Sequence, residues 1–224
     1  MAHWIKIFLL VGIIAGSKSY AQVVSTSILK KISSSDKFLF YLHGAVVSVL
    51  GDNAINQGAP EWGPYEYSKI LDSLRKRGFN VISEIRTNGV DDSVYVNKIG
   101  SQLDTLLKAG VKKSNIILVG ASSGSNVVIH VAARMNDPVM KYVIMGGCWP
   151  DLYKEYMSLK LTGNFLSIIE KSDPHKTCGR LFENRSEVTS SKEVELNTGL
   201  SHGFFYKGRK VWIDPIVEWF NATH

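Results

Sequence analysis

The chain has 224 residues, enough for one α/β domain that buries a substantial core. Its hydrophobic content of 45% and charged content of 21% are those of an ordinary globular protein and exclude a disordered or low-complexity chain. The formal net charge is +6, or +4 without Lys6 and Lys18 near the N-terminus, and the basic residues sit in isolated clusters such as Arg75-Lys76-Arg77 and Lys112-Lys113, which argues against a nucleic-acid partner.

Residues 1–21 have the layout of a secretory signal peptide. Lys6 precedes an apolar core from Ile7 to Ala15, and Ser19-Tyr20-Ala21 offers small residues where a signal peptidase cuts. The apolar run is too short to span a bilayer comfortably, so the expectation is cleavage after Ala21 and export, to a periplasm or to the medium, with no membrane span kept. An uncleaved N-terminal anchor is the competing reading. The remaining residues, 22–224, contain no repeat, linker or low-complexity tract and are expected to form a single domain.

Residues 22–32 have strand-like composition and suit an edge of the sheet. Phe38-Leu-Phe-Tyr-Leu42 predicts a buried strand ending in His43-Gly44-Ala45. A long Gly-, Asn- and Pro-containing loop is expected up to about Tyr65. Tyr67, Ile70, Leu71 and Leu74 then mark a helix face stopped by Gly78, and Asn80–Ile85 reads as a strand. Val96, Ile99, Leu103, Leu106 and Leu107 line another helix, closed by Gly110.

Asn115 to Val119 is a second run of the kind buried on both faces of a parallel sheet. From Val127 onward, Val128, Val131, Ala132 and Met135 recur at helical spacing. Between them stands Gly120-Ala121-Ser122-Ser123-Gly124, a G-x-S-x-G sequence. A strand that turns at once into a helix crowds its own backbone, so Gly120 and Gly124 supply positions without a Cβ. The central Ser122 would project its hydroxyl above the sheet at the positive end of a helix. A glycine-rich turn without chemistry would carry the same letters.

Lys141–Met145 is a strand running into Gly146-Gly147-Cys148, and residues 149–162 suit a short helix. Asn164–Ile169 is a strand leading to Ser172-Asp173-Pro174, and Glu193–Asn197 is the last strand, running into Gly199-Leu-Ser-His202-Gly203. Asp214 and Pro215 suit the cap and first turn of a final helix. Strands alternating with helices predict an α/β fold: a doubly wound, mostly parallel sheet with helices on both faces and no large lid domain. Cys148 and Cys178 are the only cysteines. In an oxidising compartment they form a possible disulfide, with two buried thiols as the alternative.

Ligand sites in such sheets gather at the carboxyl ends of the strands, where His43, Ser122, Asp173 and His202 all fall. A serine hydroxyl attacks a carbonyl only when a base takes its proton, and histidine has the suitable basicity. A carboxylate then fixes the imidazole tautomer. Asp173 is the first candidate for that acid, with Asp151 and Glu170 as rivals. Trp62, Trp149, Tyr153, Tyr156, Met157, Phe204 and Phe205 could wall an apolar substrate pocket or simply pack. No metal-ligand or phosphate-cradling motif occurs, so neither a metal nor a cofactor is expected. Asn184-Arg-Ser186 and Asn221-Ala-Thr223 are formal glycosylation sequons.

These motifs, His43-Gly44, Gly120-Ala-Ser-Ser-Gly124, Asp173 and Ser201-His202-Gly203, resemble those of small exported serine α/β-hydrolases over about Phe38 to Phe220. The resemblance implies Ser122 as nucleophile, His202 as base, Asp173 as orienting acid, and an oxyanion hole from the N–H groups of Ser123 and Ala45. It implies cleavage of a small carboxylic ester or thioester, with a serine amidase or peptidase, or a non-catalytic binding protein on the same scaffold, as alternatives. A departure is the single Gly44 before Ala45, where many lipases and esterases have a glycine-rich loop. The serine nucleophile also departs from the cysteine-based dienelactone hydrolases of similar size.

Overall fold

The structure is a computed structural model that describes residues 32–223 apart from 176 and 184. The signal-peptide reading of residues 1–21, nearly all of the strand expected over 22–32, and Asn184 lie outside the described residues. Among the described residues, six strands form one sheet in the order β2-β1-β3-β4-β5-β6, and every pairing is parallel. They are β1 (Phe38–Leu42), β2 (Asn80–Ile82), β3 (Ile116–Ala121), β4 (Lys141–Met145), β5 (Gly163–Glu170) and β6 (Val188–Leu196). The four strands β1, β3, β4 and β5 are buried along their whole length, as continuous apolar runs in a parallel sheet must be.

Side-chain alternation divides the core into two layers. Leu39, Tyr41, Ile117, Val119, Val143 and Leu166 face one side, where α3 (Tyr67–Arg75) and α8 (Lys210–Asn221) bring Ile70, Leu74, Trp212 and Ile216. Phe40, Leu42, Leu118, Tyr142 and Ile144 face the other, where α4 (Asp92–Lys108) and α5 (Ser123–Met135) bring Leu103, Leu106, Val127 and Val131. This is the doubly wound arrangement expected.

Two local expectations need correction. The long loop after His43 contains two short helices, α1 (Ala45–Leu50) and α2 (Asp52–Asn56), whose Val47 and Ala54 are fully buried. Two apolar anchors over eight residues are too few to read as helical periodicity. The last helix starts at Lys210, and Pro215 lies inside it rather than in its first turn. Burial of Trp212 and Ile213 extends the helix back past the proline, which removes one internal hydrogen bond. Residues 149–162 hold a 3₁₀ turn, Pro150–Leu152, followed by α6 (Tyr153–Ser158). A last short helix, α7 (Gly179–Phe182), follows Cys178.

Pairing register places the strand ends on one line. Leu42 pairs with Gly120, Ala121 with Met145, Met145 with Ile168, and Glu170 with Leu196. The segments that follow, holding His43, Ser122, Gly146, Asp173 and His202, therefore emerge along a single edge.

Candidate active site at the carboxyl edge of the sheet

Ser122 occupies the turn between β3 and α5 with φ 51° and ψ −121°, a left-handed conformation that costs a non-glycine residue about 1–3 kcal/mol. Its neighbours explain why the strain persists. A Cβ on Gly120 would lie 2.5 Å from the carbonyl oxygen of Gly124, and one on Gly124 would lie 2.2 Å from that of Leu42. The Ser122 amide donates to the Met145 carbonyl at 2.8 Å. Ser125 Oγ donates to the Gly120 carbonyl at 2.8 Å and accepts from the Met145 amide at 3.2 Å, tying the turn to β4. The function of Ser125 was not legible from the sequence, because its partners are backbone groups of two different strands.

The three residues spread along the chain are brought together. Ser122 Oγ lies 2.9 Å from His202 Nε2, and His202 Nδ1 lies 2.7 Å from Asp173 Oδ2. Asp173 is fully buried, and its second oxygen accepts from the backbone N–H of His175 at 2.9 Å. With a carboxylate on Nδ1, the imidazole carries its proton there and presents Nε2 to the serine as an acceptor.

Asp173 and His202 sit on loops that are bound to each other. Glu170, one of the rival acids, does this rather than facing the imidazole. Its carboxylate accepts from Ser172 Oγ at 3.0 Å, Thr198 Oγ1 at 2.7 Å, and the amides of Thr198 and Gly199 at 2.9 and 3.3 Å. Burial alone would raise its pKa, but the Thr198 and Ser172 donors outweigh it and hold the carboxyl below the usual range. Ser201, the residue before His202, is also left-handed at φ 48°, and its amide donates to Ser172 Oγ at 3.0 Å. Asp151, the other rival, is exposed in the 3₁₀ turn.

Cys148 and Cys178 are bonded, with Cα atoms 5.3 Å apart. The bond joins the segment after β4 to the segment carrying Asp173 and His175. Among the described residues, Asp173, His175 and His202 offer possible metal-ligand atoms within 4.8 Å of one another. Both oxygens of Asp173 and both nitrogens of His202 are already hydrogen-bonded, so an ion there would have to displace those bonds.

The aromatic side chains divide. Trp62 packs against the His202 ring at 6.3 Å and covers Gly203, where a Cβ would come within 2.1 Å of the indole. Trp149 packs against His175 at 5.3 Å with the rings tilted by 54°, and His175 in turn meets His202 at 5.1 Å. Tyr153 is half-buried and donates its hydroxyl to the Thr177 carbonyl at 2.7 Å, bracing the loop before Cys178. Phe204 is a correction: it is fully buried in the core against Phe205 and offers no surface to a substrate. Its place beside His202 in sequence put it near the site, but the 3₁₀ turn Ser201–Phe205 points it inward.

On the opposite side, His43 is fully buried, and both its ring nitrogens are bonded to groups other than Ser122 and His202. Its Nε2 accepts from the Arg86 amide at 2.8 Å, so the proton is on Nδ1, which donates to the Gly44 carbonyl at 2.9 Å. Burial, aided by the Arg86 charge, lowers its pKa to about 4 despite the Gly44 hydrogen bond. Ala45 is the first residue of α1 and Ser123 the first of α5. The leading amides of a helix have no partner within it. A Cβ on Gly44 would stand 3.3 Å from Ser122 Cβ, so this loop abuts the serine directly.

No family model matches the sequence, and no curated protein is similar to it in sequence. Solved structures do match in three dimensions. A dienelactone hydrolase from Anabaena variabilis aligns with a TM-score of 0.55 over 91% of this chain and 96% of its own, at 17% identity. A hyperthermophilic esterase from Pyrobaculum calidifontis aligns with a TM-score of 0.55 over 83% and 77%, also at 17% identity. A Bacillus cereus carboxylesterase aligns with a TM-score of 0.52 over 84% and 89%, at 14% identity. The chain has the α/β-hydrolase fold.

Proposed function

We propose that this protein is a serine hydrolase of small carboxylic esters or thioesters. The observation that carries the reading is the unbroken chain from Ser122 Oγ through His202 to Asp173 at the carboxyl edge of the sheet. Esterases and hydrolases among the structural neighbours support it at the level of fold.

His202 Nε2 takes the proton from Ser122 as Oγ bonds to the carbonyl carbon, while Asp173 stabilises the imidazolium. The negative oxygen of the tetrahedral intermediate accepts from the amides of Ser123 and Ala45, the leading residues of two helices. Here Ala45 does without a glycine-rich loop because the helix that begins at Ala45 supplies the free amide. His202 then protonates the leaving alcohol or thiol as its bond to carbon breaks, giving an acyl-enzyme. Water attacks the acyl carbon, His202 accepts its proton, and collapse releases the acid and returns the proton to Ser122. Trp62 and Trp149 flank the histidines and are proposed as walls of the substrate pocket, with Tyr153 bracing the loop before Cys178.

The chain is further proposed to be exported and cleaved near Ala21. The disulfide suits that destination, and no helix among the described residues is long and apolar enough to cross a membrane.

Ser122→Ala is expected to lower turnover of p-nitrophenyl esters by about 10⁴-fold or more and to abolish labelling by a fluorophosphonate, with the melting transition intact. Undiminished hydrolysis by that variant overturns the reading. A panel of matched esters, thioesters and amides, measured with the wild type, identifies the leaving group.

A further inference from the structure

The loop after β2 contributes a buried cation that the proposed mechanism does not use. Arg86 is 6% exposed. One guanidinium nitrogen, Nη2, donates both to the His43 carbonyl at 2.7 Å and to Ser123 Oγ at 2.8 Å. Its backbone amide donates to His43 Nε2 at 2.8 Å. The other terminal nitrogen, Nη1, pairs with Asp92 at 3.2 Å, and Asp92 also accepts from Asn126 on α5 at 2.7 Å. The His43 carbonyl is two residues before Ala45, and the Ser123 hydroxyl belongs to the residue whose amide is the second proposed donor. One nitrogen thus bridges the two walls of the proposed oxyanion hole.

We propose that Arg86 is a positioning residue that fixes the spacing between the Ala45 and Ser123 amides, a proposal that rests on the serine-hydrolase reading. The two donors belong to different chain segments, β1–α1 and β3–α5, and their separation must match one oxygen atom. The tight contact of Gly124 with the Leu42 and His43 carbonyls limits how close the segments come. Arg86 limits how far they part, since a shift of either segment lengthens one of two charge-assisted bonds to the same nitrogen. Lysine has a single point-like ammonium without the planar fork and cannot reproduce the bridge while also pairing with Asp92.

The test compares the full chain with Arg86→Met, Arg86→Lys, Arg86→Ala and Ser123→Ala. Arg86→Met should lower kcat on p-nitrophenyl acetate by about 30- to 100-fold with KM within about twofold, and slow fluorophosphonate labelling in parallel. Peptide hydrogen exchange should accelerate in both 42–47 and 120–126, and Arg86→Lys should fall between Arg86→Met and the wild type. Millimolar methylguanidinium should restore part of the rate of Arg86→Ala. Ser123→Ala keeps the amide but removes one end of the bridge, so it should fold normally and lose kcat in the same direction as Arg86→Met, with KM within about twofold. Wild-type kcat and wild-type exchange in Arg86→Met overturn the proposal, as does a kcat loss that merely follows the unfolded fraction. Absence of Ser122-dependent labelling in the wild type removes the hydrolase reading instead, while the exchange data still judge whether Arg86 clamps the two segments.

Discussion

The two flanks of the site are held by different kinds of force. On the Ser122 side, position comes first from backbone packing, since Gly120 and Gly124 press against carbonyl groups so closely that a single Cβ would collide, with the Arg86 and Ser125 hydrogen bonds added to it. On the Asp173 and His202 side, position comes from side-chain ties, with Glu170 gathering donors from two loops, a disulfide from Cys148 to Cys178, and Trp62 laid over Gly203. Steric packing is insensitive to solvent conditions, whereas polar and covalent ties respond to pH and redox state. The first flank should therefore fail through mutation and the second through its environment.

The largest effect on turnover should come from Gly124→Ala. Its Cβ would lie 2.2 Å from the Leu42 carbonyl oxygen, so the two segments must separate. A stability loss of about 3 kcal/mol, together with roughly 100-fold lower kcat in the folded fraction, is expected. Denaturant melts and active-site titration measure the two parts, and a fully active, equally stable variant would refute steric control of this flank.

Replacing Cys148 and Cys178 by serine should be next. Their sequence separation of 30 residues gives a stabilisation of about 3–4 kcal/mol on the chain-entropy account. Chemical denaturation with and without reductant tests it. Reduction should loosen the segment carrying Asp173 and His175 while leaving exchange at residues 116–126 unchanged, which is the sharpest form of the contrast.

The smallest effect on turnover near neutral pH accompanies a pH dependence of stability, and it qualifies the contrast because the group responsible lies on the Ser122 flank. His43 has a folded pKa of about 4 against an ordinary value of 6.5. A depressed pKa means that the unfolded chain binds the proton more readily. The contribution is fully present above pH 6.5 and is lost as pH falls through 4, for a total of roughly 3–4 kcal/mol. The lowered pKa of His175, caused first by burial and then by the His202 charge, adds a loss of the same sign. Stability curves between pH 7 and 4 should show this slope, and His43→Gln should flatten it.

Much of this arrangement was legible in the sequence. Phe38–Leu42 and Lys141–Met145 end where their apolar runs end, because a strand buried on both faces stops where apolar side chains stop. Val188–Leu196 began five residues before its expected start, since its outer face is polar and gives no such edge. Gly120 and Gly124 announced their contacts because only a missing side chain solves that crowding. Arg86 announced nothing, and Glu170 stood only as a rival for the acid, not as a tie between loops. Each works by collecting partners from segments far apart in the chain, and a lone charged residue after a strand looks the same whether it is solvated or buried. A strand-end position shared with His43 and Ser122 was the one signal that could have marked Arg86.

The strand β6 carries a consequence of another kind. Among the described residues it pairs only with β5, leaving its outer backbone groups free to recruit another chain. Its middle reads Thr189-Ser-Ser-Lys-Glu-Val-Glu195, short polar side chains followed by charges of both signs. A stray strand docking there would have to dehydrate Lys192 and Glu195. The molecule is thus guarded against edge-to-edge aggregation at the border of the sheet where its hydrogen-bonding potential is least satisfied.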